Sequence, residues 1–88
     1  MRISRIQYTK HFNRAYKKFS KNIKQQVRER EKLFRADCFD SRLETHKLGG
    51  KLKGYWVFSI TQKYRILFVF ENNDEITFLD IDDHDLYR

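Results

Sequence analysis

The hydrophobic and polar positions divide the chain into a helical N-terminal part and a strand-rich C-terminal part. Residues 3–8 alternate imperfectly between apolar and polar side chains, which predicts an edge strand or a half-buried strand. Thr9 follows and can cap a helix, because its hydroxyl can accept a hydrogen bond from a free backbone N–H. Four apolar side chains then recur at helical spacing and predict one buried stripe: Phe12, Ala15, Tyr16 and Phe19.

A second helix is predicted to begin after Ser20, which is a second capping residue. Ile23, Val27 and Phe34 mark its inner face, and the helical pattern ends at about Ala36. Lysines and arginines occupy the positions between these apolar residues. The two segments therefore predict a short helical hairpin with a basic outer surface.

From Leu48 onward the period changes to two, which is typical of strands. Three aromatic and β-branched runs follow, in residues 55–60, 64–70 and 76–81. Short links join the runs, and the asparagines in residues 71–74 suit a hairpin turn. We expect an antiparallel meander that pairs with the first strand, with the helices covering one face and a further short strand near Leu48. The predicted fold is α+β, a two-layer β-α-α-β-β-β sandwich, formed by a single domain of residues 1–88.

Composition narrows the class of protein further. No stretch reaches the roughly 18 apolar residues of a membrane span, and the N-terminal residues lack the apolar stretch of a signal peptide. The single cysteine, Cys38, has no partner for an internal disulfide, which favours a reducing, cytoplasmic location. Asp37 precedes it and would raise the pKa of the thiol, so we interpret Cys38 as a small core residue and not as a nucleophile.

The net charge of +7 is unevenly distributed. Residues 1–35 contain twelve Lys or Arg and two Glu, a balance of +10, whereas residues 36–88 contain seven Lys or Arg and ten acids, a balance of −3. A basic half of this kind is typical of proteins that bind a polyanion. A solvated helix surface accounts for the charge equally well.

Alternation along the strands indicates one candidate site. Tyr64, Ile66, Phe68 and Phe70 share one face of their strand, whereas Arg65 falls on the other face with Leu67 and Val69. In an antiparallel pair, the start of one strand lies beside the end of the next, so Arg65 is expected near residues 80–84. In the last strand, unbroken alternation places Ile76, Phe78, Asp80, Asp82 and His84 on one side. If the segment before the meander folds back, six side chains converge: His46, Lys51, Lys53, Arg65, His84 and Tyr87.

This set suits cleavage of RNA by its own 2′-hydroxyl. That reaction needs a base, an acid and fixed cations, and histidine can transfer protons near neutral pH. Arginine and lysine can stabilise the charge that develops on the phosphate, and no metal cofactor is required. A lone histidine is more often a surface or capping residue, which is our interpretation of His11. A metal site of Asp80, Asp82, His84 and Asp85 is disfavoured, since an extended strand is a poor cage; Asp80 or Asp82 more plausibly orients Arg65 or His84.

Residues 43–88 resemble the C-terminal half of the RelE/ParE superfamily of type II toxins, most closely its RelE/StbE and YafQ-like branches. Three motifs carry the resemblance: His46-Lys47-Leu48 with Gly50 and Gly54-Tyr55-Trp56, then Tyr64-Arg65-Ile66, then His84-Asp85-Leu86-Tyr87-Arg88. The resemblance implies the same β-α-α-β-β-β fold. It also implies a toxin that cleaves mRNA on the ribosome and is neutralised by an antitoxin encoded beside it, with DNA bound only through that antitoxin.

The resemblance implies roles for individual residues as well. Arg65 corresponds to the arginine that stabilises the scissile phosphate, His46 and His84 to histidines of YafQ-like members, and Tyr87 to an aromatic residue that positions the nucleotide. We expect RNA or phosphate contacts from seven lysines: Lys17, Lys18, Lys21, Lys47, Lys51, Lys53 and Lys63. Two alternatives stay open, namely a ParE-like toxin that poisons gyrase and a catalytically inactive interaction module of the same fold.

Overall fold

The computed structural model describes residues 1–83 of the 88-residue chain. Two helices and five strands follow one another in the predicted order, with a short additional strand before the meander. Their bounds are β1 Arg5–Tyr8, α1 Lys10–Lys17, α2 Lys21–Ala36, β2 His46–Lys47, β3 Trp56–Ser59, β4 Tyr64–Phe70 and β5 Glu75–Asp83. The predicted α+β fold with helices packed against a sheet is confirmed.

Both helices begin at the predicted capping residues. The Thr9 hydroxyl accepts a hydrogen bond of 3.0 Å from the backbone N–H of Phe12, and the Ser20 hydroxyl accepts one of 3.3 Å from Ile23. Each hydroxyl pairs one of the N–H groups that a helix leaves free at its start. None of the helices within residues 1–83 is long and apolar enough to cross a membrane.

The strands form one sheet in the order β1-β5-β4-β3-β2. The strands from β2 to β5 pair antiparallel, as predicted for a meander. The first strand differs, because β1 pairs with β5 in parallel and makes the sheet mixed and not antiparallel throughout. Parallel pairing of β1 requires a crossover, which the two helices supply between β1 and the meander.

The helices cover one face of the sheet, and the main core lies between the two layers. Phe34 of α2 lies at its centre, with its ring centroid 4.5 Å from that of Phe58 and 5.0 Å from that of Phe68. Phe34, Phe58 and Phe68 are fully buried. The aromatic stripe of the helices is therefore part of the core and not a surface for stacking bases.

We call the opposite face of the sheet the outer face. A second, smaller apolar cluster of Leu48, Leu52, Val57 and Leu67 lies on it. Leu48 and Leu52 belong to the segment between β2 and β3, so this segment folds back over the middle of β3 and β4. The backbone turns at Gly50 and Gly54, whose φ angles are 60° and 96°, a region that L-residues rarely adopt.

A β-bulge interrupts the alternation of β5. Leu67 pairs with Asp80, but the next residue, Phe68, pairs with Phe78, so Leu79 is the extra residue. As a result Ile81, and not Asp80, follows Ile76 and Phe78 into the core. The predicted alternation is therefore wrong beyond the bulge: Ile81 enters the core and Asp82 lies opposite Arg65, because a bulge shifts the strand by one residue and reverses which face the later side chains occupy.

Candidate functional site

Arg65 lies on the outer face near the start of β4, and its guanidinium group is held by the backbone. Its Nη1 donates to the carbonyl of Thr61 at 2.7 Å and to that of Tyr64 at 3.3 Å. Thr61 belongs to the turn between β3 and β4, so this turn fixes the guanidinium at the end of the sheet. Asp82 of β5 lies directly opposite Arg65 in the strand register.

His46 lies in β2, opposite Val57 of β3, which places it on the outer face as well. Its Nδ1 is 2.8 Å from the carbonyl oxygen of Glu44. A carbonyl oxygen can only accept, so Nδ1 carries the proton of this hydrogen bond. In the neutral form of this ring Nε2 is then the acceptor, which is the arrangement that a general base requires.

The backbone of Glu44 makes this contact possible. Glu44 ends a 3₁₀ turn of Ser41–Leu43 and has φ 52° and ψ 38°, in the left-handed region. The turn contacts both α2 and β3. Packing of this 3₁₀ turn thus directs the Glu44 carbonyl towards the His46 ring.

The sheet register gives the relation between His46 and Arg65. His46, Val57 and Leu67 lie in one row across the sheet, and Ser59, Arg65 and Asp82 lie in the next row on the same face. Standard strand spacing and rise put the Cα atoms of His46 and Arg65 roughly 12 Å apart. Two long side chains can approach the same phosphate group from this separation.

The predicted lysines fall into separate groups. Lys51 and Lys53 are exposed on the segment that folds over the outer face. Lys47, in contrast, lies opposite Trp56, and its Nζ is 5.4 Å from the centre of that ring. Lys63 is placed similarly, 5.4 Å from the ring of Tyr64. The aromatic partners of Lys47 and Lys63 pack against the main core, so these two lysines lie on the opposite side of the sheet from His46.

Lys17, Lys18 and Lys21 lie at the corner between α1 and α2 and are exposed. Lys18 also lines a small hollow between α1 and the end of β5, together with His11 and Asp80. The corner is on the helical layer, away from the outer face. These three lysines therefore form a separate basic patch, and the structure does not bring them to Arg65.

His84 and Tyr87 lie outside the described residues. The described part of β5 ends at Asp83, which pairs with Tyr64. Their predicted roles stay predictions.

Two arginines of the site were missed by the sequence analysis. Arg30 of α2 and Arg42 of the 3₁₀ turn line a hollow of about 350 Å³ together with Arg65. The Arg30 Nη1 donates to the Arg42 carbonyl at 2.8 Å. In the sequence, Arg30 is indistinguishable from the other basic residues of the helix, because only the position of the 3₁₀ turn that contains Arg42 brings it to the sheet.

The three guanidinium groups are not equivalent. Arg42 donates to both carboxylate oxygens of Asp40, at 3.0 and 2.8 Å. The hydrogen bond from Arg42 is the main reason that the pKa of Asp40 is lowered to about 2. Arg42 is thus compensated by a carboxylate, whereas Arg30 and Arg65 hydrogen-bond only to backbone carbonyls among residues 1–83.

Cys38, His11 and a possible metal site are the remaining candidates from the sequence. Cys38 is fully buried in the main core, and burial raises the pKa of its thiol, which fits the predicted core residue. His11 is an exposed residue of α1 whose Nε2 lies 3.1 Å from a carboxylate oxygen of Asp80. Within residues 1–83 no three His, Cys, Asp or Glu side chains are arranged to hold a metal ion.

No protein-family model matches the chain, and no curated protein matches it in sequence. Solved structures do match it in fold. The chain is similar to a YoeB/ParE toxin from Agrobacterium tumefaciens, with a TM-score of 0.77 and 14% identity over 92% of this chain and 99% of that chain. It is also similar to YafQ from E. coli strain BL21(DE3), with a TM-score of 0.75 and 15% identity over 92% of this chain and 93% of that chain.

A third similar structure is the archaeal RelE-RelB complex from Pyrococcus horikoshii OT3, with a TM-score of 0.73 and 17% identity over 94% of this chain and 96% of that chain. These matches cover nearly the full length of each protein. They show that the chain has the fold of the RelE/ParE toxins, as the resemblance of residues 43–88 predicts.

Proposed function

We propose that this protein is the toxin of a type II toxin–antitoxin system and acts as a ribosome-dependent, metal-independent mRNA endonuclease. One observation carries the proposal: Arg65 is fixed by backbone carbonyls on the same sheet face as His46, whose Nε2 is an acceptor. The resemblance of residues 43–88 supports the same activity. The fold is shared with toxins that include YafQ and YoeB/ParE.

The proposed reaction begins at the 2′-hydroxyl of the nucleotide before the cleaved bond. Nε2 of His46 accepts the hydroxyl proton while the 2′-oxygen attacks phosphorus. The bond from phosphorus to the 5′-oxygen breaks, and an acid supplies the proton that this oxygen takes up. The products are a 2′,3′-cyclic phosphate and a free 5′-hydroxyl, and no water or metal enters this step.

Arg65 is proposed to stabilise the extra negative charge on the phosphate oxygens as the 2′-oxygen attacks. A donor that is already fixed in place needs no reorganisation during the reaction, and removal of such a donor typically costs about 10²–10³ in rate. Lys51 and Lys53 raise the local concentration of RNA at the outer face. His84 is proposed as the acid and Tyr87 as the residue that positions the nucleotide, on the resemblance alone.

Primer extension on translating ribosomes tests the proposal. The wild-type protein should produce cuts in the ribosomal A site, and Arg65→Ala should weaken them by about 10²–10³. Arg28→Ala is a matched control, because Arg28 also hydrogen-bonds within the protein but lies on α2 and contacts Tyr16 and Gln25. Intact mRNA with the wild-type protein would overturn the proposal, and inhibition of gyrase supercoiling in the same preparation would favour the ParE-like alternative.

The proposed partner is an antitoxin encoded beside this chain. Solved neighbours of the same fold include the E. coli DinJ-YafQ toxin-antitoxin complex and the YoeB-YefM complex from Staphylococcus aureus. With a net charge of +7, an acidic partner is favoured electrostatically. Co-expression with the neighbouring reading frame should yield a stable complex and abolish cleavage; a neighbour that leaves cleavage unchanged would contradict this assignment.

A further inference from the structure

Arg30 is half-buried on α2, yet its guanidinium group reaches the end of the sheet. Its Nη1 donates to the Arg42 carbonyl, and Arg65 commits its own Nη1 to two carbonyls in the same way. No other hydrogen bond to either guanidinium occurs within residues 1–83. Each group therefore keeps its Nε–H and Nη2–H donors for a ligand, while the carbonyls hold it in place.

Arg30 and Arg65 line the same hollow of about 350 Å³. This volume is at the lower end of the roughly 300–1,000 Å³ of small-ligand sites. Arg42 is compensated by Asp40, and the Glu44 carboxylate also borders the hollow. The residues that line the hollow carry three guanidinium groups and one carboxylate, which favours an anion, whereas Asp40 and Asp82 lie outside the lining.

Ser59 supplies an independent observation. It lies directly opposite Arg65 in the strand register, lines the hollow and is only 5% exposed. Its hydroxyl forms no hydrogen bond with any side chain or backbone group of residues 1–83. A buried hydroxyl without a partner is costly and rare, whereas a bound oxyanion would accept its proton.

From this geometry we infer that the hollow is a phosphate-binding site in which Arg30 and Ser59 hold the same phosphate as Arg65. The free N–H groups of Arg30 and Arg65 and the hydroxyl of Ser59 can all donate, and guanidinium groups suit the oxygens of a phosphate. That the ligand is a phosphodiester of RNA rests on the proposed function. The anion site itself rests only on the three side chains and the hollow.

Titration with inorganic phosphate, followed by NMR of the arginine Nε–Hε signals, tests the site. The Arg30 and Arg65 signals should shift together and saturate, while the Arg28 signal stays in place at matched ionic strength. Arg30→Lys keeps the charge but not the forked donors, so it should weaken phosphate binding about tenfold or more. Arg28→Lys on the same helix should leave binding unchanged.

Ser59→Ala is a second test of the site, which remains available if Arg30→Lys fails to fold. It removes one buried hydroxyl without creating a large cavity, and it should weaken phosphate binding by several-fold at an unchanged melting temperature. Shifts that do not saturate, or that affect Arg28 as much as Arg30, would overturn the site. Saturable phosphate binding by a protein that leaves mRNA intact would instead refute the nuclease proposal and retain the site.

Discussion

His46 is the side chain whose geometry defines a chemical role most clearly. Its Nδ1 donates to the Glu44 carbonyl, which leaves Nε2 as the acceptor. We expect His46→Ala to lower the cleavage rate about 10²–10⁴-fold, the usual contribution of a general base. Because His46 is exposed, the free energy of unfolding should change little. Single-turnover cleavage on ribosomes measures the rate, and urea denaturation measures the stability.

His11→Ala is the control for this substitution, since His11 is also exposed but lies on α1 and contacts Asp80. Its cleavage rate should equal that of the wild type. Equal losses in both variants would show that the imidazole of His46 has no special part in the reaction.

Tyr8 predicts a pH dependence of stability. Burial first, and then a hydrogen bond to the Glu31 carboxylate, raise the pKa of Tyr8 to about 12 from 10.0. The unfolded chain therefore ionises at lower pH than the folded protein. The stabilisation from neutral Tyr8 is complete below pH 10 and is lost as the pH rises through about 12.

The comparison with Tyr8→Phe isolates this effect, because the other titrating groups are common to both proteins. The difference in free energy of unfolding between wild type and variant should be constant up to about pH 9.5 and should then fall in favour of the variant. Urea denaturation at intervals from pH 8 to 11.5 measures it. A difference that does not change with pH would contradict the assigned cause.

The side-chain chemistry was predictable from the sequence only in part. Arg65 stood out because it begins an otherwise apolar strand, and its place on the face opposite Ile66 follows from a period of two. The carbonyls that hold Arg65, His46 and Arg30 could not be predicted, since they depend on the backbone of turns. The left-handed backbone conformation of Glu44 could not be predicted either, because glutamate rarely adopts it and its presence does not indicate a positive φ.

The segment between β2 and β3 predicts a contrast between two glycines. Gly54 has φ 96° and Gly49 has φ −113°, and an added Cβ would meet no atom within 4 Å at either position. Gly54→Ala should therefore cost about 1 kcal/mol or more through backbone strain alone. Gly49→Ala should be neutral or stabilise by up to about 1 kcal/mol, because it restricts the unfolded chain.

The urea midpoints of the two variants measure this contrast, provided that the free energy of unfolding of both depends equally steeply on urea concentration. Equal stabilities would show that the turn at Gly54 tolerates ordinary residues. Since this turn carries Lys51 and Lys53 over the outer face, we also expect Gly54→Ala to weaken RNA binding more than Gly49→Ala does.

Strand positions were predicted well, and the error in β5 has an identifiable cause. Long aromatic and β-branched runs define β3 and β4, and the turn residues define their ends. The bulge at Leu79 leaves no mark in composition, yet it moves Ile81 into the core and places Asp82 opposite Arg65. The parallel pairing of β1 was missed for a related reason: four residues of strand do not specify the direction of their neighbour.

The positive charge is concentrated on the helical layer, whereas the proposed cleavage site lies on the sheet, so binding to the ribosome and cleavage can involve different surfaces. Residues 1–35, which contain α1 and all but the last residue of α2, have a charge of +10, whereas the proposed cleavage site lies on the far face of the sheet and includes Arg30 from the helices. Lys17, Lys18 and Lys21 are concentrated at one corner of the helical layer. If this corner contacts ribosomal RNA, it contributes to docking and not to the reaction at the phosphate.

The triple variant Lys17→Gln, Lys18→Gln, Lys21→Gln should therefore weaken ribosome binding while the cleavage rate at saturating ribosome concentration stays unchanged. Each lost phosphate contact reduces the magnitude of the slope of log K against log salt concentration by about 0.7–0.9, so three lost contacts should reduce it by about 2–3. A second triple, with Lys10, Lys24 and Lys32 changed to Gln, removes the same charge from elsewhere on the helices. If net charge alone attracts the protein, both triple variants will lose affinity equally. A loss confined to the variant at the corner would identify the corner as the contact. The reason is that counterions are released only where a lysine lies close to a phosphate, whereas distant charges act through a screened field that does not depend on their exact position.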